Sequence, residues 1–312
     1  MQLHATEPFD FGQSIRALSR TGPWADERAC SDDAATVAGY AEEWPFVATV
    51  RSGEEAATLD VDVTWVDEPG DERVVADWVG AALSLADDVE PLYAAAADDP
   101  PFRRVLDTLD GYHQVRAPTP FGAACWAALA QATPLDVARE QKRELVTSVG
   151  RVVERPLPAP PAHADEGAGG GSAETAASLL LFPTPRLVLT GAEAVERLFD
   201  DMKARTLLAA AEAFATEPLS TLETGELVDR LESVWGFDSW AAEFVAVEGF
   251  GRTDRPPRYD PTLRTAVEEL YGLPEATDDH LDNFAQRYGR NAGYWAHYVR
   301  TWAEQRTETS TL

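Results

Sequence analysis

The stretch "TPFGAACWAALAQA", residues 119–132, is apolar on nearly every side when wound as a helix. A helix without a polar face needs neighbours all round, which predicts a central buried helix in a helical core. The surrounding sequence offers such neighbours. "PFRRVLDTLDGY" reads as a short helix. "TPLDVAREQKRELVTSVG" starts on Thr-Pro and stops at Gly150, so it is bounded at both ends. "AEAVERLFDDMKARTLLAAAEAFA" reads as one or two more helices.

Ahead of Pro91 the pattern differs. "ATLDVDVTWV" sets Leu59, Val61, Val63 and Trp65 against Asp60, Asp62 and Thr64, the alternation of a half-buried strand. "WPFVATV" precedes "RSGEE" and reads as its hairpin partner. "ERVVADWVGAALSLADD" reads as a helix with Val74, Trp78, Ala81 and Leu85 near helical spacing. The expected class is α+β: an N-terminal α/β domain with a small antiparallel sheet over residues 1–90, then a mainly helical part over 91–312. Residues 156–178, "PLPAPPAHADEGAGGGSAETAAS", are rich in Pro, Gly, Ala and Ser and cannot bury a core, which predicts a disordered loop. His163 within it is expected to be solvated.

The chain has 26 Lys+Arg against 54 Asp+Glu, a net charge of −28, and its lysines are Lys142 and Lys203. Scattered acids on a chain with 45% hydrophobic content predict a halophilic, haloarchaeal protein, kept soluble by charge where the Debye length is roughly 3 Å at 1 M salt. The charge is uneven. Residues 1–100 hold 5 Arg and 22 acids; residues 251–312 hold 8 Arg and 10 acids and so repel an anion least. Cys30 and Cys125 supply neither a disulfide framework nor a metal cage. The start "MQLHATEPFD" lacks a basic and an apolar signal region, and no run approaches a membrane span, so a cytoplasmic protein without membrane contact is expected.

The informative segment is "TGELVDRLESVWGFDSWAAEFVAVEGFGRTDRPPRYDPTLRTAVEELYG". It reads helix, tight hairpin, helix, arginine-rich loop, then Asp260 before Pro261. Asp-Pro starts a helix, because Asp caps free N–H groups and Pro fits the first turn. A hairpin between helices exposes N–H groups that suit a phosphate. Most such units in a helical protein serve packing only.

"VWGFDSWAA" followed by "PPRYDPTLR" resembles the helix-hairpin-helix superfamily of base-excision DNA glycosylases, over about residues 225–248, with Asp260 at the catalytic aspartate. "AACWAALAQATPLDV" resembles the family's helix pair with its glutamine, here Gln131; "LLFPTPRLV" resembles its F-P-T-P connector; "RYGRNAGYWAHYVRTW" resembles its closing helix. The N-terminal unit resembles that of the DNA-3-methyladenine glycosylase II branch. The resemblance implies a helix-hairpin-helix glycosylase core that acts on double-stranded DNA containing a damaged base, works as a monomer and needs no cofactor. Trp240 stands where bifunctional members carry a Schiff-base lysine, which implies a monofunctional enzyme. The missing cysteine cluster argues against the iron–sulfur branch.

On this resemblance Asp260 is the catalytic residue and Trp240, Phe244, Tyr294 and Trp295 are the base pocket. DNA contacts fall to Gln131, Trp235, Gly236, Phe237, Asp238, Ser239, Arg255 and Arg258. A carboxylate beside the reacting sugar stabilises its cationic transition state, and the positive end of a helix favours that anion. The family's Pro-Gly-x-Gly is here "WGFD". Asp238 puts negative charge where a phosphate docks, and a monovalent cation at the hairpin backbone is one way to bridge it. Ala132 falls at the position of the alkylbase branch's intercalating leucine. "YGRNAGYWAH" resembles the 8-oxoguanine branch equally well. The expected function is hydrolysis of the N-glycosidic bond of damaged, alkylated bases in base excision repair; the alternatives are excision of oxidised bases and DNA binding by a catalytically inactive adaptor.

Overall fold

The computed structural model describes residues 1–19, 23–156 and 176–309. Five antiparallel strands form the first sheet: β1 (Gln2–His4), β2 (Arg28–Cys30), β3 (Ala34–Ala41), β4 (Trp44–Ser52) and β5 (Thr58–Trp65), in the order β1-β5-β4-β3-β2. The expected hairpin is β4 with β5, registered by Phe46 opposite Trp65 and Val50 opposite Val61. Helices α1 (Phe11–Leu18) and α2 (Glu72–Ala82) cover one face, packing Phe11, Ile15, Val75 and Val79 on Phe46, Ala48 and Val50. The buried stripe of α2 is Val75 and Val79, with Ala81 exposed, so the expected face is turned by about one residue.

A second, two-stranded sheet pairs β6 (Arg151–Pro156) with β7 (Ala176–Leu181). It covers part of the first sheet's other face, with Leu179 and Leu181 packed on Ala38 and Val47. This explains two unlike strand patterns. Residues 45–50 of β4 are buried on both faces, whereas β5 is covered on one and leaves Asp60 and Asp62 exposed. It also corrects the expected loop over 156–178. Pro156 closes one strand and residues 176–178 open the other, because Leu179–Leu181 have apolar surface to cover. The rest of that stretch, with His163, lies outside the described residues.

The helices run α3 (Glu90–Ala95), α4 (Pro100–Thr108), α5 (Pro120–Ala130), α6 (Leu135–Val149), α7 (Pro185–Thr190), α8 (Ala192–Leu198), α9 (Asp201–Thr216), α10 (Thr224–Glu232), α11 (Ser239–Phe244), α12 (Pro261–Tyr271), α13 (Asp278–Tyr288) and α14 (Ala292–Thr309). They build two cores. The apolar α5 is the centre of one, buried from Phe121 to Leu129 among α6 to α11, as its sequence requires. In the other, α3 and α4 pack on α12, α13 and α14, which come from the far end of the chain. No described helix is long and apolar enough to cross a membrane.

Candidate active site

A cleft of about 560 Å³ opens where the sheet unit and the two helical cores meet. Asp260 stands in it. Its Oδ1 accepts the N–H groups of Thr262 (2.8 Å) and Leu263 (3.2 Å), capping α12 as Asp-Pro predicts. Its Oδ2 accepts Nη1 of Arg300 at 3.0 Å. Arg300 projects from α14 and also binds Glu248, with Glu304 at 3.8 Å. Burial opposes the Arg300 charge, but the carboxylates of Glu248, Asp260 and Glu304 outweigh it and hold the guanidinium well above its usual range. Glu248 sits in a wide π-type turn, Val245–Gly249, that continues α11.

The loop before Asp260 is fixed at several points. Glu243 of α11 accepts the Tyr259 N–H at 3.0 Å, and burial pushes its carboxyl above the usual range. Gly293 of α14 lets the loop lie directly on the helix. A Cβ there would be 2.6 Å from Thr253 O, and the Gly293 N–H donates to that same oxygen at 2.9 Å.

Of the four aromatics expected in a base pocket, Trp240 and Phe244 line the cleft, one turn apart on α11 with ring centroids 5.3 Å apart. Tyr294 and Trp295 do not line it. Trp295 is buried in the core of α12–α14, stacks on Phe284 and Tyr288, and donates Nε1 to the Tyr271 hydroxyl at 3.2 Å. Tyr294 donates to Asp87 at 2.6 Å. The face of α14 toward the cleft is instead His297, Arg300, Thr301 and Glu304. The opposite wall adds Trp24, Arg28, Arg116, Trp126, Leu135 and Arg139, none of which carried a signal in its local sequence. Neither lysine lies there. Lys142 is buried against Glu27, and its charge is disfavoured by burial; Lys203 donates to Thr133 and Gln141.

The hairpin between α10 and α11 turns at Gly236, whose φ of +87° suits a residue without Cβ. A Cβ there would fall 2.1 Å from Thr206 Oγ1. Gln131, at the end of α5, clamps the turn with both ends of its amide: Nε2 donates to Gly236 O and Oε1 accepts the Asp238 N–H, each at 3.0 Å. Phe237 is buried under the turn and Ser239 begins α11. Asp238 caps α11 through the Ala241 N–H at 2.8 Å. Trp235 carries the guanidinium of Arg205 over its ring at 4.1 Å. The expected loop cations are partly engaged: Arg258 pairs with Asp282 at 2.7 Å, and Arg255 reaches Thr224 O at 3.4 Å. Within the hairpin, Val234 O accepts the Phe237 N–H, Gly236 O accepts Gln131 Nε2 and Asp238 Oδ1 accepts the Ala241 N–H. Among the described residues no group of three or more His, Cys, Asp or Glu is placed to hold a metal.

No protein-family model matches the chain, and no curated protein matches it. Solved structures do. The 3-methyladenine DNA-glycosylase from Archaeoglobus fulgidus aligns at a TM-score of 0.74 and 18% identity, over 97% of this chain and 98% of that one. The Clostridium acetobutylicum 8-oxoguanine glycosylase/lyase in its apo form aligns at 0.65 and 14%, over 96% and 95%. The DNA-3-methyladenine glycosidase from Bacillus halodurans aligns at 0.52 and 16%, over 71% and 92%. The chain has the fold that these DNA glycosylases share.

Proposed function

We propose that the chain is a monofunctional DNA glycosylase that hydrolyses the N-glycosidic bond of damaged bases in double-stranded DNA, with alkylated purines as its substrates. The observation that carries this reading is a capped carboxylate, Asp260, in a cleft faced by Trp240 and Phe244 and reached by neither lysine. The cleft volume is in the range of small-molecule sites. An extruded base stacks on the aromatic wall and brings its sugar to Asp260. The C1′–N bond breaks with its electron pair leaving on the base, which cancels the positive charge of an alkylated purine, so no general acid is needed. The negative charge of Asp260 stabilises the sugar cation, and water adds at C1′ as its proton passes to the carboxylate or to solvent. A strand-cutting lyase would need an amine to form a Schiff base with the sugar.

The likeness to an 8-oxoguanine glycosylase/lyase supports a second reading, excision of oxidised bases. Purified protein at high salt, where a net charge of −28 is best screened, should release 3-methyladenine or 7-methylguanine from single-lesion duplexes and leave 8-oxoguanine in place. Borohydride added during the reaction should trap no covalent adduct. A trapped adduct would overturn the monofunctional reading, and release of 8-oxoguanine alone would overturn the alkylated-purine reading.

A further inference from the structure

The hairpin poses an electrostatic problem. Asp238 is exposed at its exit, and its carboxylate has taken the Ala241 N–H that would otherwise face an anion. A negative charge at this point opposes a DNA phosphate. The chain also spends many arginines on its own acids, as Arg258 is spent on Asp282 and Arg300 on Glu248 and Asp260.

Arg205 is used differently. It is exposed near the start of α9, with its guanidinium 4.1 Å over the Trp235 ring, and among the described residues no carboxylate pairs with it. Trp235 stands where the helix-hairpin-helix pattern has a proline. A guanidinium stacked on an indole loses conformational freedom but keeps its fork of N–H donors for a second, planar or tetrahedral anion. Its place is fixed by more than the stack. Gly236 packs its bare Cα against Thr206, the next residue of α9, and Gln131 holds the turn by two hydrogen bonds. Two residues before Arg205, Lys203 ties α9 to the α5–α6 turn through Thr133 at 2.9 Å and to α6 through Gln141 at 2.6 Å. The hairpin tip, the start of α9 and the α5–α6 turn therefore form one braced corner, and Leu135, the first residue of α6, lines the cleft.

We infer that Arg205, held flat on Trp235, binds a backbone phosphate of DNA at this corner and offsets the charge of Asp238. The inference rests on the DNA reading above and adds a residue and a ligand group to it. Because the partner is a phosphate, the contact releases a counterion and leaves a signature in the salt dependence of binding.

The experiment measures dissociation constants over a KCl series for a duplex with a tetrahydrofuran abasic analogue and for the undamaged duplex. Base release at saturating protein and a thermal melt are measured on the same preparations. Arg205→Glu should weaken both duplexes on the order of tenfold or more at the lowest salt. Its slope of log affinity against log salt should be shallower by about 0.9. Arg205→Lys should keep the wild-type slope with part of the affinity. Trp235→Leu should weaken binding severalfold with the slope unchanged. Asp238→Asn, which keeps the cap, should tighten it. Arg73→Glu, on the acidic sheet unit, is the control and should change little. Wild-type affinity and slope in Arg205→Glu, or an equal loss in Arg73→Glu, would overturn the inference while base release by the wild type leaves the glycosylase reading standing. A wild type that neither binds duplex nor releases base would overturn both.

Discussion

Asp260 divides two tasks between two oxygens. Oδ1 is committed to the N–H groups that open α12, and Oδ2 meets Arg300 inside the cleft. The cap fixes where the charge sits, and the paired arginine fixes which way the second oxygen points. Gly236 fixes geometry by having no side chain. Gly236→Ala would need a positive φ and would press a methyl on Thr206 Oγ1 at 2.1 Å. The backbone strain alone costs about 1–3 kcal/mol, and the hairpin must also move off α9. We expect a lower melting temperature and weaker duplex binding. Gly236→Ala combined with Thr206→Ala should recover part of both, since the nearest clash is with the threonine hydroxyl. Additive losses in the double variant would show that φ, not the contact with α9, sets the requirement.

At the scale of elements, α14 shows why a face is harder to read than a helix. His297, Arg300, Thr301 and Glu304 recur at helical spacing and in isolation resemble an ordinary solvated stripe. The aromatics Tyr294 and Trp295 look more like a ligand wall. Their assignments are reversed because the core of α12–α14 takes the aromatics and the cleft takes the polar stripe. Nothing local distinguishes the two outcomes; the choice depends on α4 and α12, distant in sequence. The β6–β7 pairing was illegible for the same reason, since its partners are separated in the sequence by a Pro-, Gly- and Ala-rich run that carries no strand pattern. Elements with local causes were legible: α5 by its uniform apolarity, α12 by Asp-Pro, β5 by alternation. One buried side chain now ties three helices of the second core. Asp99, at the cap of α4, accepts Tyr271 OH (2.9 Å), Tyr288 OH (2.8 Å) and Arg287 Nη1 (2.7 Å). Burial, with the nearby Asp99 charge, pushes both tyrosine hydroxyls well above their usual range. Asp99→Ala strands these donors and should cost about 3 kcal/mol. Denaturant titration should show a lower midpoint at unchanged slope, with base release per folded molecule retained. A change below about 0.5 kcal/mol would remove Asp99 from this account.

At the scale of the molecule, three cores meet at one cleft, and each supplies a wall. The sheet unit gives Arg28 of β2, and Trp24 just before it packs into the α5–α11 core. The α5–α11 core gives Trp126, Arg139, Trp240 and Phe244. The third gives Asp260 and the polar stripe of α14. The acids Asp260, Glu248 and Glu304 surround Arg300, while Arg28, Arg116 and Arg139 lie on the other walls. Arg116 is paired with Asp87 at 3.0 Å, and on the proposed reading the negative charge of Asp260 stands where a sugar cation would form. That arrangement makes Asp260 the point on which the account depends. The most direct test is single-turnover release of methylated purine from a lesion duplex by wild type and Asp260→Asn, beside thermal melts of the same preparations. Asn caps a helix nearly as well as Asp, so stability should fall by roughly 1 kcal/mol or less. Asn lacks the full charge, and losing a preorganised electrostatic partner lowers the rate by about 100-fold or more. We predict a folded, DNA-binding variant with release slowed by at least about that factor. Release at the wild-type rate would reduce Asp260 to a helix cap and contradict the account.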